Sequence, residues 1–166
     1  MRRAIVIVVS TRAAAGTAED LTGPVISAWL AQRGFAVDPP VIVPDGAAVA
    51  EALRDALATA PAVIVTTGGT GVSPDDQTPE QVAPLLDLQI PGLIEELRRR
   101  GAATVPAALL TRGVAGFAGD SFVITLPGSP GGVRDGLDVL DPVLDHLLGQ
   151  RTGAASGRHE HSREPR

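Results

Sequence analysis

Ala4-Ile5-Val6-Ile7-Val8-Val9 is an apolar, β-branched run too short for a helix, and it predicts a first strand. Between Glu19 and Arg33, Leu21, Val25, Ile26, Trp29 and Leu30 recur near helical spacing, and the pattern stops before Gly34. Phe35 to Val43 reads as a second strand, interrupted or ended by Pro39-Pro40, and Val49, Leu53 and Leu57 set the period of a helix from Asp45 to Ala60. Ala62 to Thr66 has the unbroken apolar character of a strand buried on both faces. A helix over Leu93 to Arg100 is the one clear element between Ile90 and Gly113; Phe122 to Leu126 is a further strand, and Val133 to Leu148 a final helix. Strands alternating with helices predict an α/β fold with a mostly parallel, doubly wound sheet. In such sheets ligands bind outside the carboxyl ends of the strands, and three segments follow strands here: Ser10 to Asp20, Thr66 to Glu80, and Pro127 to Gly132.

Of the 166 residues, the last sixteen are polar and aperiodic, so one domain over 1–150 and a disordered tail over 151–166 are expected. The basic start, Met1-Arg2-Arg3, meets an apolar run with no small-residue cleavage site after it, and no stretch has the length of a membrane span. A cytoplasmic, membrane-free protein is expected. Before the tail, ten Arg face seventeen carboxylates, a balance of about −7 that argues against binding a nucleic-acid backbone. Cysteine is absent, which excludes a thiolate nucleophile, and lysine is absent, which excludes Schiff-base chemistry and the lysine of a P-loop. His146 reads as a structural or surface residue, and His159 and His161 in the tail make a weak metal site at most.

The segment with the most chemistry is Thr66-Thr67-Gly68-Gly69-Thr70-Gly71-Val72-Ser73-Pro74-Asp75-Asp76-Gln77-Thr78-Pro79-Glu80. Its glycines allow close backbone approach and turn N–H groups toward an anion, its threonines add donors, and it suits a phosphate. Asp76 is placed to reach a cation held by the same phosphates. Asp45, in Val43-Pro44-Asp45-Gly46, is either its partner from the same sheet edge or an ordinary helix N-cap. Gly128 and Ser129 lie in a strand-to-helix turn whose N–H groups either face an anion or merely make a tight connection. Ser10 and Arg12 add a hydroxyl and a guanidinium at the same rim.

Thr66 to Glu80 resembles the signature of the MogA/MoaB family and the related gephyrin G domain. Five other segments agree in order: Ser10 to Gly16 with Glu19-Asp20, Val43-Pro44-Asp45, Ile90-Pro91-Gly92 with Arg98, Thr111 to Gly116, and Leu126 to Pro130. The resemblance implies a three-layer α/β/α fold, a homotrimer, and adenylylation of molybdopterin with ATP and magnesium, with handover of the product to a molybdenum insertase. It implies that Asp45 and Asp76 are the catalytic, magnesium-holding pair, and that Ser10, Gly68, Gly69, Thr70, Gly71 and Ser129 bind substrate; Arg12 and Gly128, in the same loops, are expected to join them. Thr11 stands where many relatives have Asp, and Asp75 where the pattern commonly has Arg. A non-catalytic molybdopterin carrier and a CinA-like nucleotide hydrolase are the alternatives.

Overall fold

The computed structural model describes residues 1–154. Its strands are β1 (Arg3–Val9), β2 (Ala36–Val37), β3 (Val41–Val43), β4 (Val63–Thr67), β5 (Leu88–Gln89), β6 (Ala115–Ala118) and β7 (Ser121–Leu126). Its helices are α1 (Thr11–Ala14), α2 (Gly23–Gln32), α3 (Ala47–Ala58), α4 (Thr78–Val82), α5 (Pro91–Ala102), α6 (Pro130–Leu140) and α7 (Leu144–Arg151). The sheet runs β2-β1-β4-β7-β6-β5, with β3 also pairing β1 beyond β2. β1, β2, β3, β4 and β7 are parallel, and β6 alone opposes its neighbours. This is the mostly parallel, doubly wound α/β sheet that the alternating pattern predicts.

The register carries the two-sided core. Val6 lies beside Val65, and Val65 beside Ile124. These side chains share one face with Ile26 and Leu30 of α2, Ile94 and Leu97 of α5, Leu137 of α6 and Leu144 of α7. The alternate residues Ile7, Val9, Ile64 and Val123 pack on the other face with Val49 and Leu53 of α3 and Val82 of α4. Helices therefore cover both faces, in three layers, and the central strands are apolar throughout because both faces are buried. The chain turns from β1 to β2 and β3 on one side and to β4 on the other, which makes the ends of β1 and β4 the topological switch point.

The second strand is interrupted at Pro39-Pro40, as its sequence allows, into two short strands that are both parallel to β1. The final helix differs from the sequence pattern. The expected final helix is broken into α6 and α7 at Asp141–Val143, because Pro142 has no N–H to continue the ladder. α7 runs to Arg151, whose Nε donates to the Gly119 carbonyl at 2.9 Å and whose guanidinium lies 5.1 Å from the Phe117 ring centre. The remainder of the expected tail, with His159 and His161, lies outside the described residues. Among the described residues no helix is long and apolar enough to cross a membrane, and His146 is exposed on α7.

Candidate functional site

The parallel strands β1, β3, β4 and β7 bring Ser10, Asp45, Gly68 and Pro127 to one rim. Gly68 donates to the Leu126 carbonyl at 3.0 Å, joining the β4 and β7 turns, and Thr67 Oγ1 donates to the Pro127 carbonyl at 2.7 Å. Gly68 and Gly69 have φ of +98° and +68°. A Cβ at Gly68 would collide with the Val9 carbonyl, and one at Gly69 with Asp45 Oδ2 and Thr78 Oγ1. Only glycine allows the loop to lie this close to both β1 and Asp45.

The loop is then braced from three sides. Thr78 Oγ1 donates to the Gly68 carbonyl at 2.9 Å, and the buried hydroxyls of Thr70 and Thr111 bond at 2.9 Å. Arg112 is the third brace: Nε donates to the Gly71 carbonyl at 2.8 Å, Nη2 to the Asp76 carbonyl at 2.9 Å, and Nη1 to Glu80 Oε1. The ion pair raises the Arg112 pKa and lowers that of Glu80, chiefly through this hydrogen bond. Arg98 Nε in turn donates to the Thr111 carbonyl at 2.7 Å. Arg112 and Arg98 were legible only as parts of a family pattern, because their role lies in reach across the fold.

Asp45 does not act as the N-cap that its position before a helix suggests. Gly46 caps α3 and no side chain assists it. Asp45 Oδ1 accepts from Gly46 N at 2.7 Å and from Gln77 N at 3.2 Å, tying the β3–α3 turn to the glycine-rich loop. Burial raises its pKa, the two N–H groups oppose that, and the charges of Asp76 and Glu80 raise it further. Asp76 Oδ2 accepts from Ser73 N at 3.1 Å. Among the described residues Asp45 Oδ2 and Asp76 Oδ1 accept no hydrogen bond, and no set of three or more His, Asp or Glu side chains is placed to hold a metal ion. Magnesium fits this donor set, since it takes one or two carboxylates and fills its shell with phosphate oxygens and water. Asp75 is exposed.

A cleft of about 790 Å³ opens beside the loop, lined by Gly69, Thr70, Gly71 and Asp76, by Gly128 and Ser129, and by the α5 end and following segment around Gly101, Ala108 and Thr111. The N–H groups of Gly69, Thr70, Gly71, Gly128 and Ser129 make no hydrogen bond to the described residues, so two turns with free donors border one hollow. Ser129 Oγ accepts from Gly132 N at 3.1 Å as the cap of α6, and Ser10 Oγ likewise accepts from Ala13 N at 3.1 Å. Ser10, the exposed Arg12 and Asp45 are not in the cleft lining, and Gly68 is buried beneath it. Another hollow, of about 760 Å³, lies by Arg3 and Ser121 at the strands' amino ends, away from every one of these groups. The rim cleft is the candidate site because the free N–H donors of both turns and Asp76 border it.

A family model described as a probable molybdopterin binding domain matches residues 5–146. A molybdenum cofactor biosynthesis bifunctional protein of Synechococcus elongatus is 41% identical over 155 residues, which are 93% of this chain and 49% of that protein. The chain thus spans about half the length of the first curated relatives it matches. A molybdopterin adenylyltransferase of Pyrococcus furiosus is 35% identical over 148 residues, 86% of this chain and 87% of that one. Among solved structures, the molybdopterin biosynthesis Mog protein of Mycobacterium ulcerans is similar with a TM-score of 0.88 and 51% identity, covering 91% of this chain and 99% of that chain.

Proposed function

The chain belongs to the molybdopterin-binding domain family whose model spans residues 5–146, and from that premise we propose that it is a molybdopterin adenylyltransferase of molybdenum cofactor biosynthesis. The observation that carries this reading is the pair of donor-rich turns bordering one cleft, with Asp76 on its wall and Asp45 held against the same loop. Two phosphate-bearing substrates need that many N–H donors, because no lysine exists to take the charge.

In this reading the terminal phosphate of molybdopterin attacks the α-phosphorus of ATP in line; a P–O–P bond forms, the bond to the β-phosphate bridge breaks, and pyrophosphate leaves. The N–H groups of Gly69, Thr70 and Gly71 and those of Gly128 and Ser129 hold phosphate oxygens, and fixed dipoles of this kind stabilise charge that develops during transfer without reorganising. Asp45 and Asp76 would hold magnesium, which supplies Lewis-acid polarisation of the α-phosphate. Arg112 keeps the turn that carries Asp76 in place from behind, and Arg12 offers a guanidinium at the outer rim. The product is handed to a molybdenum insertase, the protein acts as a homotrimer, and its compartment is the cytoplasm.

The test is conversion of molybdopterin and Mg-ATP to adenylylated molybdopterin and pyrophosphate, beside Asp45→Asn and Asp76→Asn. Turnover that falls roughly 100-fold or more in either variant, with molybdopterin still bound, is the expected result. Binding without turnover by the unmodified protein would leave a carrier, and nucleotide hydrolysis without molybdopterin a CinA-like hydrolase.

A further inference from the structure

The cleft wall built by α5 and α6 carries a carboxylate that the transfer chemistry leaves unused. Asp135 is half-buried, lines the cleft, and makes no hydrogen bond or ion pair with a described residue. Its Oδ2 lies 3.6 Å from the point where a Cβ on Gly101 would stand, which sets it against the end of α5. The nearby α5 guanidiniums are engaged elsewhere: Arg98 Nε with the Thr111 carbonyl and Arg100 Nε with Glu96 at 3.0 Å. Partly buried carboxylates ordinarily take donors from their own protein, and one that does not is available to a ligand. Arg134, one residue earlier, reaches instead toward Gly131, its Nη2 4.0 Å from the Cβ position there, so the two charges of this helical turn serve different parts of the cleft.

A 2-amino-4-oxopteridine presents N3–H and a 2-amino N–H side by side, much as a guanidinium does. A carboxylate accepts both in a paired, charge-assisted contact. Adenine sets its amino group beside an acceptor ring nitrogen, which satisfies one carboxylate oxygen and repels the other. We propose that Asp135 recognises the pterin ring by accepting hydrogen bonds from N3–H and the 2-amino group, and thereby turns the phosphate end of the ligand toward the donors of the two turns. This rests on the reading of the cleft as a molybdopterin site.

The test is equilibrium binding of molybdopterin, and its displacement by pterin or by lumazine, in which oxygen replaces the 2-amino group. The unmodified protein is expected to prefer pterin by about tenfold or more, the worth of a charge-assisted hydrogen bond. Asp135→Asn is expected to weaken molybdopterin binding by about tenfold or more and to erase that preference, with KM for ATP within about twofold. Asp135→Glu retains part of the preference. Because the preference is a ratio measured on one protein, altered folding does not mimic its loss. Unchanged molybdopterin binding and an unchanged preference in Asp135→Asn, or a rise in KM for ATP in their place, would overturn the assignment of Asp135 alone. Failure of the unmodified protein to bind molybdopterin would overturn the proposed function together with it.

Discussion

Asp45 shows how a candidate site residue is held at some cost to the fold. Burial raises its pKa above the ordinary value of 3.8, with the charges of Asp76 and Glu80 adding to the effect and two N–H groups opposing it. Folding therefore favours the neutral form: its stabilising contribution is complete below the unfolded pKa and is lost as pH rises through the folded one. At pH 7 the ionised carboxylate costs stability. Asp45→Asn keeps an oxygen acceptor for Gly46 N and Gln77 N and drops the charge, so it is expected to melt higher than the unmodified protein at pH 7 while turnover is lost. Thermal melts in a pH series check this, and the gain in Tm should shrink as pH falls toward the ordinary carboxylate range. Arg112 is the complementary case, a cation whose fork spans two carbonyls and Glu80. Lysine has one compact charge and cannot reproduce that planar fork. Arg112→Lys is expected to leave the circular dichroism spectrum unchanged and to lower kcat about 10- to 100-fold through misplacement of the Asp76 loop. Neither role was legible from local sequence. Asp45 before a helix reads equally as a cap, and the partners of Arg112 lie 32 to 41 residues away.

The elements that could be read from the chain are those whose local pattern and tertiary setting agree. β1, β4 and β7 are buried on both faces and are continuous apolar runs, so their positions and the rim they define follow from composition alone. β5 and β6 could not be found that way. β5 has two residues, and β6, Ala115-Gly116-Phe117-Ala118, has a glycine inside it and little β-branching, so its place comes from pairing with β7 and from the edge-to-face contact of Phe117 with Phe122 at 5.6 Å. The break between α6 and α7 had a local cause in Pro142, but the leucine period continues across it and hides the boundary. The glycine-rich loop was legible as a close-approach turn because its composition is needed twice, for left-handed φ and for close approach. Gly68→Ala tests this at the element scale. The new Cβ meets the Val9 backbone carbonyl, which has no rotamer to yield. Left-handed strain and overpacking together are expected to cost about 2–5 kcal/mol, which scanning calorimetry would read as a Tm lower by roughly 5–15 °C.

At the scale of the molecule, the topology bears on how an acidic chain would host the two phosphorylated ligands of the proposed reaction. The switch point between β1 and β4 opens the rim, and the turns there present backbone dipoles in place of basic side chains. The same scale raises the question of assembly. A 17.0 kDa chain leaves Leu21 60%, Leu88 49%, Val105 56%, Leu109 59% and Leu110 52% exposed, and Val105, Leu109 and Leu110 fall within six residues of each other after α5. Clustered exposed apolar side chains on a small domain are usually covered by something, and the family resemblance implies two further copies. Light scattering on a sizing column should give about 51 kDa, three times the 17.0 kDa of the chain. Mass action adds a second check, since folding linked to association makes Tm rise with protein concentration, whereas a monomer melts at one temperature across a dilution series. A mass near 17.0 kDa with a concentration-independent Tm would refute the trimer and leave those leucines as solvent-facing residues.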